Sequence, residues 1–236
     1  MPNHQLNSMH KNRSILFFAR GVALFKVHAS EAERSTIVFT GTMNHPPNDE
    51  GIQYFCKNIF PIILAKEPEA KLVIVGNAPS KEVQALADGC RVKVTGFVPD
   101  TRPYFASAAV TIVPLLTGSG TRLKILEAMA MGKAIVSTTI GAEGIACTDG
   151  ENILLADTPE EFSDKVLELM KNQNYSGSIG KKARELACEQ YSWKNLSLNL
   201  EEIYNRWTSD NRAGGPAACR LSVLPQRPLL AGLFRR

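Results

Sequence analysis

From Thr36 onward the chain alternates short apolar runs with longer stretches of helical period, and few folds accommodate that alternation. Ile37-Val38-Phe39, Leu72-Val73-Ile74-Val75, Val92-Lys93-Val94, Val110-Thr111-Ile112-Val113 and Ala134-Ile135-Val136-Ser137 read as strands. Between the first two, Ile52, Phe55, Ile59 and Ile63 recur at helical spacing, giving a helix that ends near Lys66. A helix from Lys81 to Asp88 precedes the third strand, and a helix capped by Asp100 and running through Ala106 precedes the fourth. Apolar strands separated by helices form a parallel sheet covered on both sides. The fold class is therefore α/β, a parallel sheet with helices on both faces. Beyond a short last strand from Asn152 to Leu155 the sequence turns helical, from Pro159 to Lys171, Ser176 to Gln190 and Trp193 to Trp207. The capping signal Thr158-Pro159-Glu160-Glu161 opens the first of these.

Right-handed crossovers point the C-terminal end of every such strand at one edge of the sheet. Gly41, Gly96 and Gly118 each fall just past a strand end, so three loops converge on one crevice, where open parallel sheets bind ligands. Taken singly, each glycine also reads as a simple turn residue. The loop at Gly118 continues through Ser119-Gly120-Thr121-Arg122-Leu123-Lys124-Ile125-Leu126-Glu127 to Gly132, joining small residues to an apolar helix. Small residues let backbone N–H groups approach a ligand, and a helix start adds unpaired donors and a positive dipole end. With Arg122 and Lys124 beside those donors, the chemistry favours a phosphate or pyrophosphate. Glu127, set among apolar neighbours, needs a hydrogen-bonding partner such as a ribose diol. Spacing alone leaves a second reading open: a capped core helix with Arg122 and Lys124 solvated and Glu127 at a rim.

Composition narrows the classes. The 236 residues are 44% hydrophobic and 21% charged, enough for a substantial core. A net charge of +4 without basic blocks or aromatic-rich basic stripes argues against nucleic acid. Five widely spaced cysteines form neither a metal pattern nor a disulfide framework and read as reduced and intracellular. Ser14 to Phe25 is too short for a membrane span and is interrupted by Arg20. The four histidines, His4, His10, His28 and His45, fall in no nucleophile or metal motif. No G-x-G-x-x-G turn follows the first strand, which argues against a nicotinamide dehydrogenase.

Several segments in sequence resemble the C-terminal, donor-binding half of a group 1 (family 4) glycosyltransferase of the two-Rossmann-domain type. They are Phe39-Thr40-Gly41 with Pro47-Asn48 and Gly51, Val73-Ile74-Val75-Gly76, and Val94-Thr95-Gly96-Phe97-Val98. The core motif runs from Pro114-Leu115 through Leu126-Glu127-Ala128-Met129-Ala130-Met131-Gly132-Lys133 to Val136-Ser137-Thr138 and Gly141-Ala142-Glu143-Gly144, and Tyr191-Ser192-Trp193 resembles the closing helix. The resemblance implies a nucleotide-sugar donor, transfer with retention at the anomeric carbon, and no metal or other cofactor. It implies that Glu127 receives the ribose hydroxyls, that Gly118, Ser119, Gly120 and Thr121 offer amides to the pyrophosphate or sugar, and that Gly41 lets the first loop approach the phosphates. Phe97 and Val98 would hold the base, or serve as core. Arg122 and Lys124 would stabilise the charge of the leaving diphosphate, or Lys124 would pair with Glu127 along the helix.

Three departures from the family pattern stand out. Ser119 replaces the carboxylate eight positions before Glu127. Met43, Asn44 and Asn48 stand where the family carries an arginine and a lysine, with Arg122 and Lys124 as candidate replacements. An acceptor-binding Rossmann domain would not fit ahead of the first strand. The expected organisation is an extension or interdomain remnant at 1–35, the nucleotide-sugar-binding domain at 36–207, and an irregular tail at 208–236. The expected partners are a nucleotide-sugar donor, an acceptor glycan or lipid-linked sugar, and a separate N-terminal Rossmann half. The resemblance places the chain in the bacterial cytoplasm, with at most peripheral association at the inner membrane face, in polysaccharide or envelope glycan synthesis. A non-catalytic nucleotide-sugar-binding module and an inactive fragment are the alternatives.

Overall fold

A computed structural model describes residues 35–118 and 122–192, together with 197–198, 201–202 and 204–205. Most of the helix expected from Trp193 to Trp207 and both terminal segments lie outside them. Six strands form one parallel sheet in the order β3-β2-β1-β4-β5-β6. They are β1 (Thr36–Thr40), β2 (Lys71–Val75), β3 (Val92–Val94), β4 (Val110–Val113), β5 (Ile135–Ser137) and β6 (Leu154–Leu155). In register, β1 pairs Thr36 to Thr40 with Lys71 to Val75 on one side, and Ile37 and Val38 with Val110 and Thr111 on the other.

The winding reverses between β3 and β4, so right-handed crossovers send the helices of the two halves to opposite faces. The burial of β1 records this. All five of its residues are buried; Ile37 and Phe39 join the main core, whereas Val38 packs with Val75, Ala108 and Tyr104 on the other face. A strand covered on both sides reads as a continuous apolar run, which is why β1 was plain in the sequence.

Helix α1 (Pro46–Tyr54) passes through a π-helical turn at Phe55–Ile59 into α2 (Phe60–Lys66), where the sequence reads one regular helix. Pro61 is the cause: it lacks an N–H, and its ring would strike the carbonyl four residues back. The wider turn, closed by the Phe60 N–H on the Phe55 carbonyl, relieves that clash. It also holds Phe55 against Phe60, with ring centroids 6.0 Å apart, and edge-on to Phe162 at 5.9 Å. Helix α3 (Lys81–Ala85) stops short of Asp88, because the Asp88 carboxylate accepts the N–H groups of Cys90, Arg91 and Val92 and shapes the turn into β3. Asp100 accepts the Arg102 N–H at the start of α4 (Arg102–Ser107), as its position in the sequence implies.

Helix α5 (Leu123–Ala130) follows β4, and α6 (Pro159–Lys171) and α7 (Gln173–Gln190) follow β6. The Thr158 hydroxyl caps α6, and Asn172 caps α7 three residues earlier than the sequence suggests. Helix α7 packs on both α5 and α6, and so ties the two halves of the sheet's cover together. Lys133 donates to the carbonyls of Ala106 (2.8 Å) and Ala108 (3.0 Å) at the end of α4, a favourable place for a cation.

The loops after β1 and β2 touch through glycine: a Cβ on Gly76 would lie 1.6 Å from the Gly41 carbonyl oxygen. Gly76→Ala is expected to cost about 3 kcal/mol or more in urea denaturation, at the upper end of overpacking penalties. Gly89→Ala, in open space at φ +72, should cost only the left-handed backbone strain of about 1–2 kcal/mol. Equal losses at the two positions would contradict the packing described.

Candidate functional site

Where the winding reverses, β1 and β4 lie side by side and the helices after them leave on opposite faces, opening a crevice above the strand ends. Helices α1 and α5 both begin there without a side-chain cap, after His45 and Arg122 respectively. The amides of Leu123 and Lys124, at the first two positions of α5, donate to no carbonyl among the described residues, as expected of a helix's first turn. The start of α5 turns its positive dipole end to the crevice before any side chain is counted, whereas α1 opens with Pro46 and Pro47, which have no N–H to offer.

Lys124 adds a cation to it. Its Nζ donates to Asn48 Oδ1 at 2.5 Å and stands 4.4 Å above the centroid of the Phe39 ring. Asn48 is buried and oriented by its Nδ2, which donates to the Thr42 carbonyl at 2.8 Å. A Cβ on Gly41 would come within 3.0 Å of Lys124 Nζ and 2.9 Å of Asn48 Nδ2, so Gly41 leaves room for the ammonium as well as for a ligand. Lys124 thus reaches from α5 over the sheet edge to the loop after β1. That loop has no cation of its own: Met43 is core and Asn44 is exposed. Neither sequence alternative holds for Lys124, which is not freely solvated and forms no ion pair with Glu127 among the described residues.

Glu127 lies one turn further along α5, half-buried, and its carboxylate receives no hydrogen bond among the described residues. Burial pushes its carboxyl up to about 7, against the pull of Lys124. Burial likewise pushes the Lys124 ammonium down to about 7, with Arg122 adding to the shift and Glu127 opposing it. Both groups are held where a charged or polar ligand would change their protonation.

Arg122 departs from the sequence expectation. It precedes α5 instead of occupying its first turn, and it is 6% exposed. Its Nη2 donates to the carbonyls of Gly118 (2.8 Å) and Ile140 (3.0 Å) and lies 4.0 Å from the exposed Glu143 carboxylate. The solvated reading of Arg122 is therefore overturned: backbone carbonyls replace water around the guanidinium. Phe97 and Val98 divide. Phe97 is 63% exposed and so is not core, whereas Val98 packs against Val38 and Val75. Gly96 joins the same edge indirectly, its carbonyl accepting the Gly76 N–H at 3.2 Å. Ser119, Gly120 and Thr121 lie outside the described residues. The roles of Phe39 and Asn48 in seating the lysine were missed in the sequence. The available signal was Asn48 itself, a polar residue heading the apolar stripe of Ile52, Phe55 and Ile59.

The two shifted groups act on stability in opposite directions. Glu127 binds its proton more tightly folded than unfolded, so between about pH 4.5 and 7 its contribution falls as pH rises. Lys124 binds its proton less tightly folded than unfolded, so between about pH 7 and 10.5 its contribution rises with pH. In denaturant titrations without ligand, Glu127→Gln should gain on the parent as pH rises from 5 to 7, and Lys124→Met should lose ground to it from 7 to 10. Differences that stay flat with pH would contradict the burial assigned to both.

Known proteins share this architecture. The family described as glycosyl transferases group 1 matches residues 34–172, more than half of the chain. An uncharacterized 44.6 kDa protein in the cps region of Klebsiella pneumoniae is 26% identical, over 75% of this chain and 47% of its own length. The N-acetyl-alpha-D-glucosaminyl L-malate synthase of Bacillus anthracis is 24% identical, over 84% of this chain and 53% of its own. The chain thus spans about half the length of these curated relatives. Among solved structures, Anabaena HepE in complex with UDP and glucose has a TM-score of 0.60 at 18% identity, covering 81% of this chain and 51% of that one. The C-terminal domain of a group 1 glycosyl transferase, LpcC of Francisella tularensis, has a TM-score of 0.58 at 18% identity, with 73% of this chain covering 98% of that domain. At these identities the structures establish the fold. With the family match over most of the sheet and the reversal-point crevice in place, the chain belongs to the group 1 glycosyltransferases and corresponds to their C-terminal Rossmann-like half.

Proposed function

We propose that this chain binds the nucleotide-sugar donor of a retaining glycosyltransferase in bacterial polysaccharide or envelope glycan synthesis. The observation that carries the reading is Lys124, an ammonium seated between two uncapped helix starts with Glu127 one turn away. The diphosphate takes the amides at the start of α5 and the Lys124 ammonium, and Glu127 accepts the ribose hydroxyls. In this reading Gly41 and Gly118 let their loops come close to the phosphates, Ser119, Gly120 and Thr121 are assigned to offer amides to the donor, and the backbone at Phe97 and Val98 is assigned to the base.

In the transfer, the bond from the anomeric carbon to the diphosphate oxygen breaks, a bond to an acceptor hydroxyl oxygen forms, and the hydroxyl proton is taken up by the departing diphosphate. Charge grows on the leaving oxygen, and a fixed cation with fixed amides stabilises it without reorganisation. This reading assigns that work to Lys124 and the amides, with no metal or other cofactor. The acceptor, a glycan or lipid-linked sugar, would be held by an N-terminal Rossmann half outside the residues described. No helix among the described residues is long and apolar enough to cross a membrane.

The test is calorimetric titration with UDP, GDP and ADP, and with the 2′-deoxy form of whichever binds. The parent should bind one diphosphate in preference to the others and favour the ribose form. Glu127→Ala should weaken binding about tenfold to a hundredfold, the loss of charge-assisted hydrogen bonds worth about 1.5–3 kcal/mol, and abolish the ribose preference. A folded parent that binds none of the three would refute the reading.

A further inference from the structure

We infer that Arg122 is a positioning residue, which clasps the loop after β4 to the loop after β5 and so fixes the approach to the diphosphate, and is not itself a ligand of the phosphates. The inference rests on the donor-site reading above and assigns a different job to one of its two cations. A single nitrogen, Nη2, donates both bonds of the clasp, to Gly118 O and Ile140 O. The Arg122 side chain is 6% exposed, and its Nε is buried without a partner among the described residues, a cost offset where the rest of the group is firmly held.

The neighbours fit the same role. Gly118 has φ +121, and a Cβ there would meet Pro47 at 3.2 Å and Arg122 Nη1 at 3.3 Å, so the loop is pressed between the start of α1 and the guanidinium. Lower in the same two loops, the Thr138 hydroxyl donates to Leu115 O (2.5 Å) and accepts the Gly141 N–H (2.9 Å). Further along the loop after β5, the Tyr191 hydroxyl accepts the Ala146 N–H at 2.8 Å and pins the loop midway. Arg122 is therefore the outer of two clasps across the same pair of loops. Lys124, two residues on, is left as the cation with donors to spare.

Because one nitrogen makes both bonds, an ammonium can take its place, and Arg122→Lys should rescue what Arg122→Met loses. Hydrogen exchange of the ligand-free parent, R122M and R122K is followed over 114–118 and 138–146, together with diphosphate affinity by titration with UDP, GDP and ADP. In R122M, exchange of both loops should accelerate at least tenfold, with β1 and β2 unchanged, and affinity should fall at least tenfold; R122K should restore both within about threefold. Affinity lost with loop exchange unchanged would make Arg122 a direct phosphate ligand and overturn the inference, as would faster exchange with full affinity. If R122M does not unfold cooperatively, Arg122→Gln takes its place. A parent that binds no diphosphate would sink the functional reading, and the exchange arm would still decide whether the clasp exists.

Discussion

A lysine ammonium drawn over the edge of the sheet holds the site together. Lys124 belongs to a helix on one face, yet its charge rests on Asn48 and Phe39, which belong to the strand and helix on the other side of the reversal point. A charge-assisted hydrogen bond of about 1.5–3 kcal/mol and a ring contact of about 0.5–2 kcal/mol offset only part of the cost of removing an ammonium from water. The balance shows as a lysine whose ammonium is pushed down to about 7. In the proposed reading, a dianion in the crevice would supply the remainder and favour the charged ammonium.

That arrangement depends on the sheet order. Only because β1 and β4 are neighbours, with helices leaving on opposite faces, do two helix starts and one long side chain meet over a single gap. Glycines then set the distances. Gly76 lets the second loop rest on the first, Gly41 admits the ammonium, and Gly118 turns its bare face to Pro47 and Arg122. Each contact ties a group at the crevice to the position of a strand end.

The strands were legible because burial on both faces leaves little but branched aliphatic and aromatic residues, as in Ile37-Val38-Phe39 and Val110-Thr111-Ile112-Val113. Glu127 was legible for the opposite reason, as a carboxylate among apolar neighbours. Two things escaped. The π-helical turn before Pro61 is a backbone response to a missing N–H, and the periodicity of Ile52, Phe55, Ile59 and Ile63 survives it unchanged. The fate of Arg122 is a tertiary matter: its partners are carbonyls at Gly118 and Ile140, and backbone carbonyls carry no mark in a sequence. Adjacent cations in one motif looked equivalent, and long-range backbone contacts separated them.

The most direct test of the central claim is a crystal structure of the chain with whichever of UDP, GDP and ADP it binds. The account expects phosphate oxygens within hydrogen-bonding distance of the Leu123 and Lys124 amides and of Lys124 Nζ, with the ribose on Glu127. A diphosphate bound elsewhere on the protein, with Lys124 still turned only to Asn48 and Glu127 untouched, would contradict it.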